Sequence, residues 1–174
     1  MNSNPLDAIL EAHKISTGCF KIAQRAIKKQ HVDLFNDAIW PTQPNAVEAI
    51  VQTRKESDDL FVLALWATFE RFVIGYLQGK GAILQQIVPT DLANPIYEQF
   101  KREVEYWKQD DILDLLKKIS SIDKNLIGQA RTILRYRNWV AHGKDVHKKT
   151  TVNVVAPAYT YRILNEIVSI LLLN

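Results

Sequence analysis

The chain has 174 residues, 47% of them hydrophobic and 24% charged, with a formal net charge of +3. These values are ordinary for a soluble protein, and they predict one globular domain over residues 1–174. The single cysteine, Cys19, excludes an internal disulfide framework and suits a reducing compartment. The first residues lack the pattern of a secretion signal, and the most apolar run, residues 60–69, is too short to span a bilayer. We therefore expect a cytoplasmic protein with no membrane role.

The first predicted helix covers residues 6–30, where apolar residues recur at helical spacing. Cys19 falls within this apolar pattern, so we interpret it as a small buried hydrophobe rather than a nucleophile. The residues assigned to the apolar side are Ile15, Cys19, Ile22 and Ala26.

The longest predicted helix begins after a loop that contains Pro41 and Pro44, and it reaches to about Gln78. Asn45 stands where an N-cap is needed. The second half of this helix is apolar on nearly all sides, so we expect it to be the central, buried helix of the protein.

The remaining helices are predicted from their end signals. Two helices of mixed charge cover residues 96–108 and 110–119. Residues 120–123 read Ser-Ser-Ile-Asp, which matches a capping box that opens the next helix, and Gly143 is placed to end it. Pro157 starts the last helix. The prediction is an all-α bundle of about five to six helices.

Positive charge is concentrated in one segment, Arg131 to Lys149. It holds six Lys or Arg residues and one acid, Asp145, which gives +5. The rest of the chain holds 16 basic and 18 acidic residues, which gives −2. Such a concentration is typical of a site that contacts phosphate groups.

Within this segment, polar residues occupy unusual helical positions. Arg137 lies on the apolar side of the predicted helix, where an unpaired guanidinium would be costly to bury. It therefore needs an acidic partner, a cleft or a partner surface. The apolar residues on its side are Leu126, Ala130, Ile133, Leu134 and Ala141. A neighbouring polar ridge, at helical steps of four, three and four, consists of Arg131, Arg135, Asn138 and His142.

The sequence Arg137-Asn138-Trp139-Val140-Ala141-His142-Gly143 resembles the signature of the HEPN superfamily, in which Arg is followed after four to six residues by His. The resemblance implies a small helical bundle and a metal-independent endoribonuclease. It assigns catalysis to Arg137, Asn138 and His142. It further implies a homodimer with a composite cleft, and in prokaryotes a toxin or defence effector, with an antitoxin or other neutralising protein as a partner.

The residues around this motif complete the predicted site. Binding of RNA through its phosphates is assigned to the basic residues of the segment: Arg131, Lys144, Lys148 and Lys149. Arg135 and Glu70 are assigned supporting roles. Glu70 interrupts the apolar helix, and two positions are open to it: it faces solvent beside Arg71, or it is the buried partner of an arginine, either Arg137 or Arg135.

Other chemistries lack their sequence signals. The chain has neither of the common phosphate-binding glycine loops and neither an HExxH motif nor paired cysteines at metal-ligand spacing, so we expect no cofactor and no metal. Two alternatives to the nuclease stay open. One is a non-catalytic HEPN module that binds RNA, a nucleotide or a protein. The other is a structural helical dimer in which Arg137 and Glu70 form a buried pair.

Overall fold

The computed structural model describes residues 4–31, 45–145 and 154–173. Within these ranges the chain forms α-helices and no strand, which confirms the all-α prediction. The six helices are α1 (Asp7–Lys28), α2 (Ala46–Gly81), α3 (Thr90–Glu105), α4 (Gln109–Leu116), α5 (Lys124–Ala141) and α6 (Pro157–Leu173). A short 3-10 helix, Ala82–Gln86, follows α2 directly.

Helix α2 is the centre of the fold, as predicted from its apolar second half. It contacts α1, α3, α5 and α6. Its inward side chains are almost fully buried, among them Val62, Leu65, Trp66, Phe69 and Val73. By length and composition alone, the stretch Ala46–Gln86 would also pass as a membrane span. That is weak evidence, since the core helix of a soluble bundle has the same properties.

Helices α5 and α6 close the core on α2 and on each other. The apolar stripe predicted for α5 is confirmed in its first three turns, where Leu126, Ala130, Ile133 and Leu134 are buried. Helix α6 begins at Pro157, as predicted, and presents a buried stripe to the same core: Ile163, Leu164, Ile167, Val168 and Leu171.

Of the four residues predicted on the apolar side of α1, Ala26 is buried, whereas the prediction is wrong for the other three. Ile15 and Ile22 are 67% and 66% exposed, and Cys19 is exposed as well, so the cysteine is not a buried hydrophobe. A different, mixed face of α1 lies against α2. His13 on that face bonds Asp58 of α2 at 2.8 Å, and Phe20 packs in a small apolar cluster near the start of α2. These contacts set the rotation of α1, which apolar spacing alone did not reveal.

Two predicted helix starts are also wrong. Helix α3 begins at Thr90, and Pro95 lies inside it. Pro95 cannot donate to the carbonyl of Asp91, one turn earlier, and the helix continues through it with that hydrogen bond missing. Helix α5 begins after Asp123, whose carboxylate accepts a hydrogen bond from the amide of Asn125 at 2.9 Å. The N-cap is therefore Asp123 and not Ser120, since one acidic side chain satisfies the free amide without a capping box.

Candidate functional site

The motif residues lie in the last two turns of α5 and immediately after it. Arg137 and Asn138 are half-buried, whereas His142 is exposed and is the first residue beyond the helix. The amide of His142 still donates to the carbonyl of Asn138, at 3.0 Å. The predicted place of His142 at the end of the helix is confirmed, and its imidazole is open to solvent.

A tight turn follows His142 and folds the chain back over the helix end. The amide of Gly143 donates to the carbonyl of Val140 at 3.0 Å, and the amide of Lys144 donates to the carbonyl of Trp139 at 2.9 Å. This is the hydrogen-bond pattern of a Schellman cap. Gly143 has φ of +79°, which glycine adopts without strain and which confirms its predicted capping role. Lys144 has φ of +55°, an uncommon conformation for a residue with a side chain.

Arg137 has no carboxylate partner among the described residues. Its Nη1 donates to Oδ1 of the adjacent Asn138 at 2.9 Å. Its Nε is buried and has no hydrogen-bond partner in the described part of the chain. A buried donor left unsatisfied costs about 1–3 kcal/mol, so the bundle holds this guanidinium at an energetic disadvantage. The group retains the capacity to bind an acceptor from outside these residues.

Glu70 does not supply that acceptor. Its Oε1 accepts from Nε2 of Gln109, the first residue of α4, at 3.0 Å. No hydrogen bond or ion pair joins Glu70 to Arg137 or Arg135 in the residues that the structure describes. Arg71, its neighbour, instead pairs with Glu105 at 2.6 Å. The interpretation of Glu70 as the buried partner of either arginine is therefore wrong.

Two of the predicted RNA-binding residues form ion pairs with acids of the same chain. Arg131 lies 2.6 Å from the carboxylate of Asp114 on α4. Lys144 places its Nζ 2.6 Å from Glu56 and 2.6 Å from Asp59, both on α2. Burial lowers the pKa of Lys144, but hydrogen bonds to Asp59 and Glu56 outweigh that effect and leave its pKa raised.

The positive charge of the segment is therefore less concentrated in the structure than along the sequence, because acidic residues of α2 and α4 pair with two of its basic residues. Arg135, an exposed supporting residue, donates to Thr132 Oγ1 at 3.2 Å. Within the described ranges it has no carboxylate partner, like Arg137. Lys148 and Lys149 lie outside the described residues.

Sequence reasoning missed Asp59 and Tyr136. The phenol of Tyr136 is buried and donates to the carboxylate of Asp59, which also contacts Lys144. Burial, and then this hydrogen bond, raise the pKa of Tyr136 well above its usual range. The available signal was an acid pair, Asp58-Asp59, at the edge of the apolar half of α2. Such a pair ordinarily reads as a solvated face, so the signal was weak.

The arrangement offers the guanidinium of Arg137 and, five residues later along the chain, the imidazole of His142. Arginine can neutralise charge on a phosphate, and histidine can accept or donate a proton. Within the described ranges no three His, Cys, Asp or Glu side chains are grouped as a metal site would require. Comparisons of the chain with family models, with curated proteins and with solved structures found no match.

Proposed function

We propose that the protein is a metal-independent endoribonuclease whose catalytic residues are Arg137, Asn138 and His142. The observation that carries this proposal is the state of Arg137. The guanidinium is half-buried, one of its donors is unsatisfied, and no described carboxylate neutralises it. A bundle selected for stability alone would place a methionine or leucine there. An anionic ligand such as a phosphodiester would neutralise this arginine through the part of the half-buried guanidinium that is not enclosed.

The reaction follows from the groups present. His142 takes the proton of the ribose 2′-hydroxyl, and that oxygen attacks the adjacent phosphorus. The bond to the 5′-oxygen breaks, the leaving oxygen takes a proton from solvent while the imidazolium of His142 returns its proton to solvent, and a 2′,3′-cyclic phosphate remains. Arg137 stabilises the charge that develops on the phosphate oxygens. Asn138 accepts from Arg137, and so orients the guanidinium.

A composite cleft in a homodimer would complete the site. Among the residues that the structure describes, no side chain hydrogen-bonds the imidazole of His142, and a second protomer would supply such a group. Ala141 is exposed beside Arg137 on the same side of α5 and allows close approach of a second helix. A two-fold axis near these residues would bring two motif sets together. Light scattering should therefore show a dimer at micromolar concentration, and a monomer would contradict the composite cleft.

The proposal places the protein in the cytoplasm as a toxin or a defence effector, with RNA as substrate and with a neutralising protein as a partner. The alternative, a non-catalytic module that binds RNA, a nucleotide or a protein, is favoured by one observation. The imidazole of His142 is exposed and unsupported in the described residues, whereas a catalytic histidine is usually held by a second group.

RNA cleavage in the presence of EDTA tests the proposal. The wild type should produce fragments with 2′,3′-cyclic phosphate ends, and His142→Ala should lose ~10²–10⁴-fold in rate, the usual contribution of general acid–base catalysis. Arg137→Met should lose activity to a similar degree. It should melt at the same temperature as the wild type or higher, because it removes a buried unsatisfied donor.

Two matched variants serve as controls. His31→Ala removes another exposed histidine beyond a helix end, and Arg162→Met removes an arginine of α6 that lies over the ring of Tyr159. Both should cleave at the wild-type rate. Retained activity in His142→Ala would refute the nuclease. Binding of RNA without cleavage by the wild type would establish the non-catalytic module instead.

A further inference from the structure

The carboxylate of Asp59 contacts α5 and its terminal turn on both sides of the motif. Tyr136, which donates to Asp59, is the residue immediately before Arg137. Lys144, which lies 2.6 Å from the other oxygen of Asp59, is the second residue after His142. One acid on α2 therefore fixes the chain just before the first catalytic residue and just after the last.

Lys144 contacts one largely buried carboxylate and one exposed carboxylate. Asp59 is 9% exposed, and the Lys144 ammonium also lies 2.6 Å from Glu56, one turn earlier on α2. The turn receives a further contact from α5, because Nε1 of Trp139 donates to the carbonyl of Asp145 at 3.4 Å. The left-handed backbone at Lys144 is disfavoured for a residue with a side chain, so an interaction must hold it.

We propose that Asp59 and Lys144 are positioning residues, which hold the turn after α5 against α2 and thereby fix His142 relative to Arg137. This inference rests on the proposed nuclease function. It replaces the RNA-binding role that the sequence assigned to Lys144 with a positioning role. An ammonium that already contacts two carboxylates would have to leave both to reach a phosphate, which makes it a poor RNA ligand.

Kinetics separate positioning from RNA binding. Lys144→Met should lower kcat by roughly 10²-fold, the cost of a misplacement of about 1 Å, with KM little changed. Lys144→Arg retains a cation that can bridge two carboxylates and should restore most of kcat. Lys14→Met, which breaks the exposed ion pair of Lys14 with Glu11, is the matched control and should leave both constants unchanged. If Lys144→Met raises KM at constant kcat and weakens the salt dependence of RNA binding, Lys144 is an RNA ligand and the proposal fails.

Hydrogen exchange tests the same contacts without any RNA. The amides of His142, Gly143 and Lys144 donate to carbonyls of α5 at 2.9–3.0 Å and should be protected in the wild type. Lys144→Met and Asp59→Asn should each lose protection there by at least about tenfold, while the first three turns of α5 keep theirs. Unchanged exchange at these three amides would overturn the proposal.

The two experiments fail independently. If the wild type cuts no RNA, the proposed function is lost, and the exchange pattern still decides whether Asp59 and Lys144 hold the turn. Where Asp59→Asn proves too unstable to purify, Lys144→Met decides alone, because it leaves the bond between Tyr136 and Asp59 in place.

Discussion

Helix α5 and the turn that follows it consist of an amino half, residues 124–134, and a carboxyl half, residues 135–145, which are held in place by different interactions. In the amino half, Leu126, Ile127, Ala130, Ile133 and Leu134 are at most 4% exposed and pack in the core. In the carboxyl half only Tyr136 is buried to that degree. Trp139 and Val140 are only partly buried against the core, and polar contacts add to them: from Tyr136 to Asp59, from Lys144 to α2, and within the Schellman cap.

This difference separates stability from precision. Apolar burial is non-directional and supplies most of the free energy of folding. Hydrogen bonds and ion pairs add little net energy, but they fix the positions of the atoms that form them. The groups proposed for catalysis lie in the half that is held by directional contacts, and at the end of the helix where local opening is least costly.

The largest expected effect is in the amino half. Ile133 is fully buried, so Ile133→Ala should lower the free energy of unfolding by about 2–5 kcal/mol through lost burial and a residual cavity. His142→Ala, at an exposed position in the carboxyl half, should lower it by about 1 kcal/mol or less. Chemical denaturation of both variants measures the contrast. Similar losses would mean that the two halves do not differ in the way described.

The halves also differ in how far the sequence revealed them. Apolar spacing predicts the buried side of α5 correctly at Leu126, Ala130, Ile133 and Leu134, because these residues pack on the apolar side of α2 and no polar contact there turns α5 about its axis. The same reasoning failed on α1, where the bond between His13 and Asp58 turns a mixed face inward. It failed again at the end of α5, since Ala141 lies past the core and is exposed.

For the candidate site, local signals were predictable and distant partners were not. The order of Arg137, Asn138 and His142 placed them at the end of a helix with a glycine cap, and the structure has them there. Asp59 lies 77 residues before Tyr136, and no periodicity within one helix relates them. The prediction of a concentrated positive charge failed for the same reason, because the acids that pair with Arg131 and Lys144 are distant in sequence.

Alkaline pH should weaken the carboxyl half selectively. The pKa of Lys144 in the folded protein is raised above its ordinary 10.5, so its ion pairs contribute fully below that value. The contribution, about 1–2 kcal/mol, is lost as the pH rises through the folded-state pKa. The pKa of Tyr136, which shares Asp59, is raised as well, first by burial and then by its hydrogen bond to that carboxylate. It adds to the loss as the pH rises above its ordinary pKa of 10.0, because the unfolded chain then ionises at Tyr136 before the folded protein does.

The measurement is the difference in unfolding free energy between the wild type and Lys144→Met, at neutral pH and above about pH 11. The difference should shrink at the higher pH, because the wild-type ammonium has then lost its charge. Lys14→Met, whose ion pair is exposed, should show no comparable change. A pH-independent difference would show that the charge of Lys144 does not hold the turn.

The smallest effect is expected from the ion pair that Arg131, in the amino half, forms with Asp114 of α4. Arg131 and Asp114 are 35% and 58% exposed at their side chains, and exposed pairs typically contribute about 0–1 kcal/mol. Arg131→Ala should therefore leave the unfolding free energy almost unchanged, because the apolar side of α5 holds this half without it. A double-mutant cycle with Asp114→Ala isolates the pair energy from other effects of truncation. A coupling energy well above 1 kcal/mol would show that electrostatics also secure the amino half, and the division of α5 into an apolar and a polar half would no longer hold.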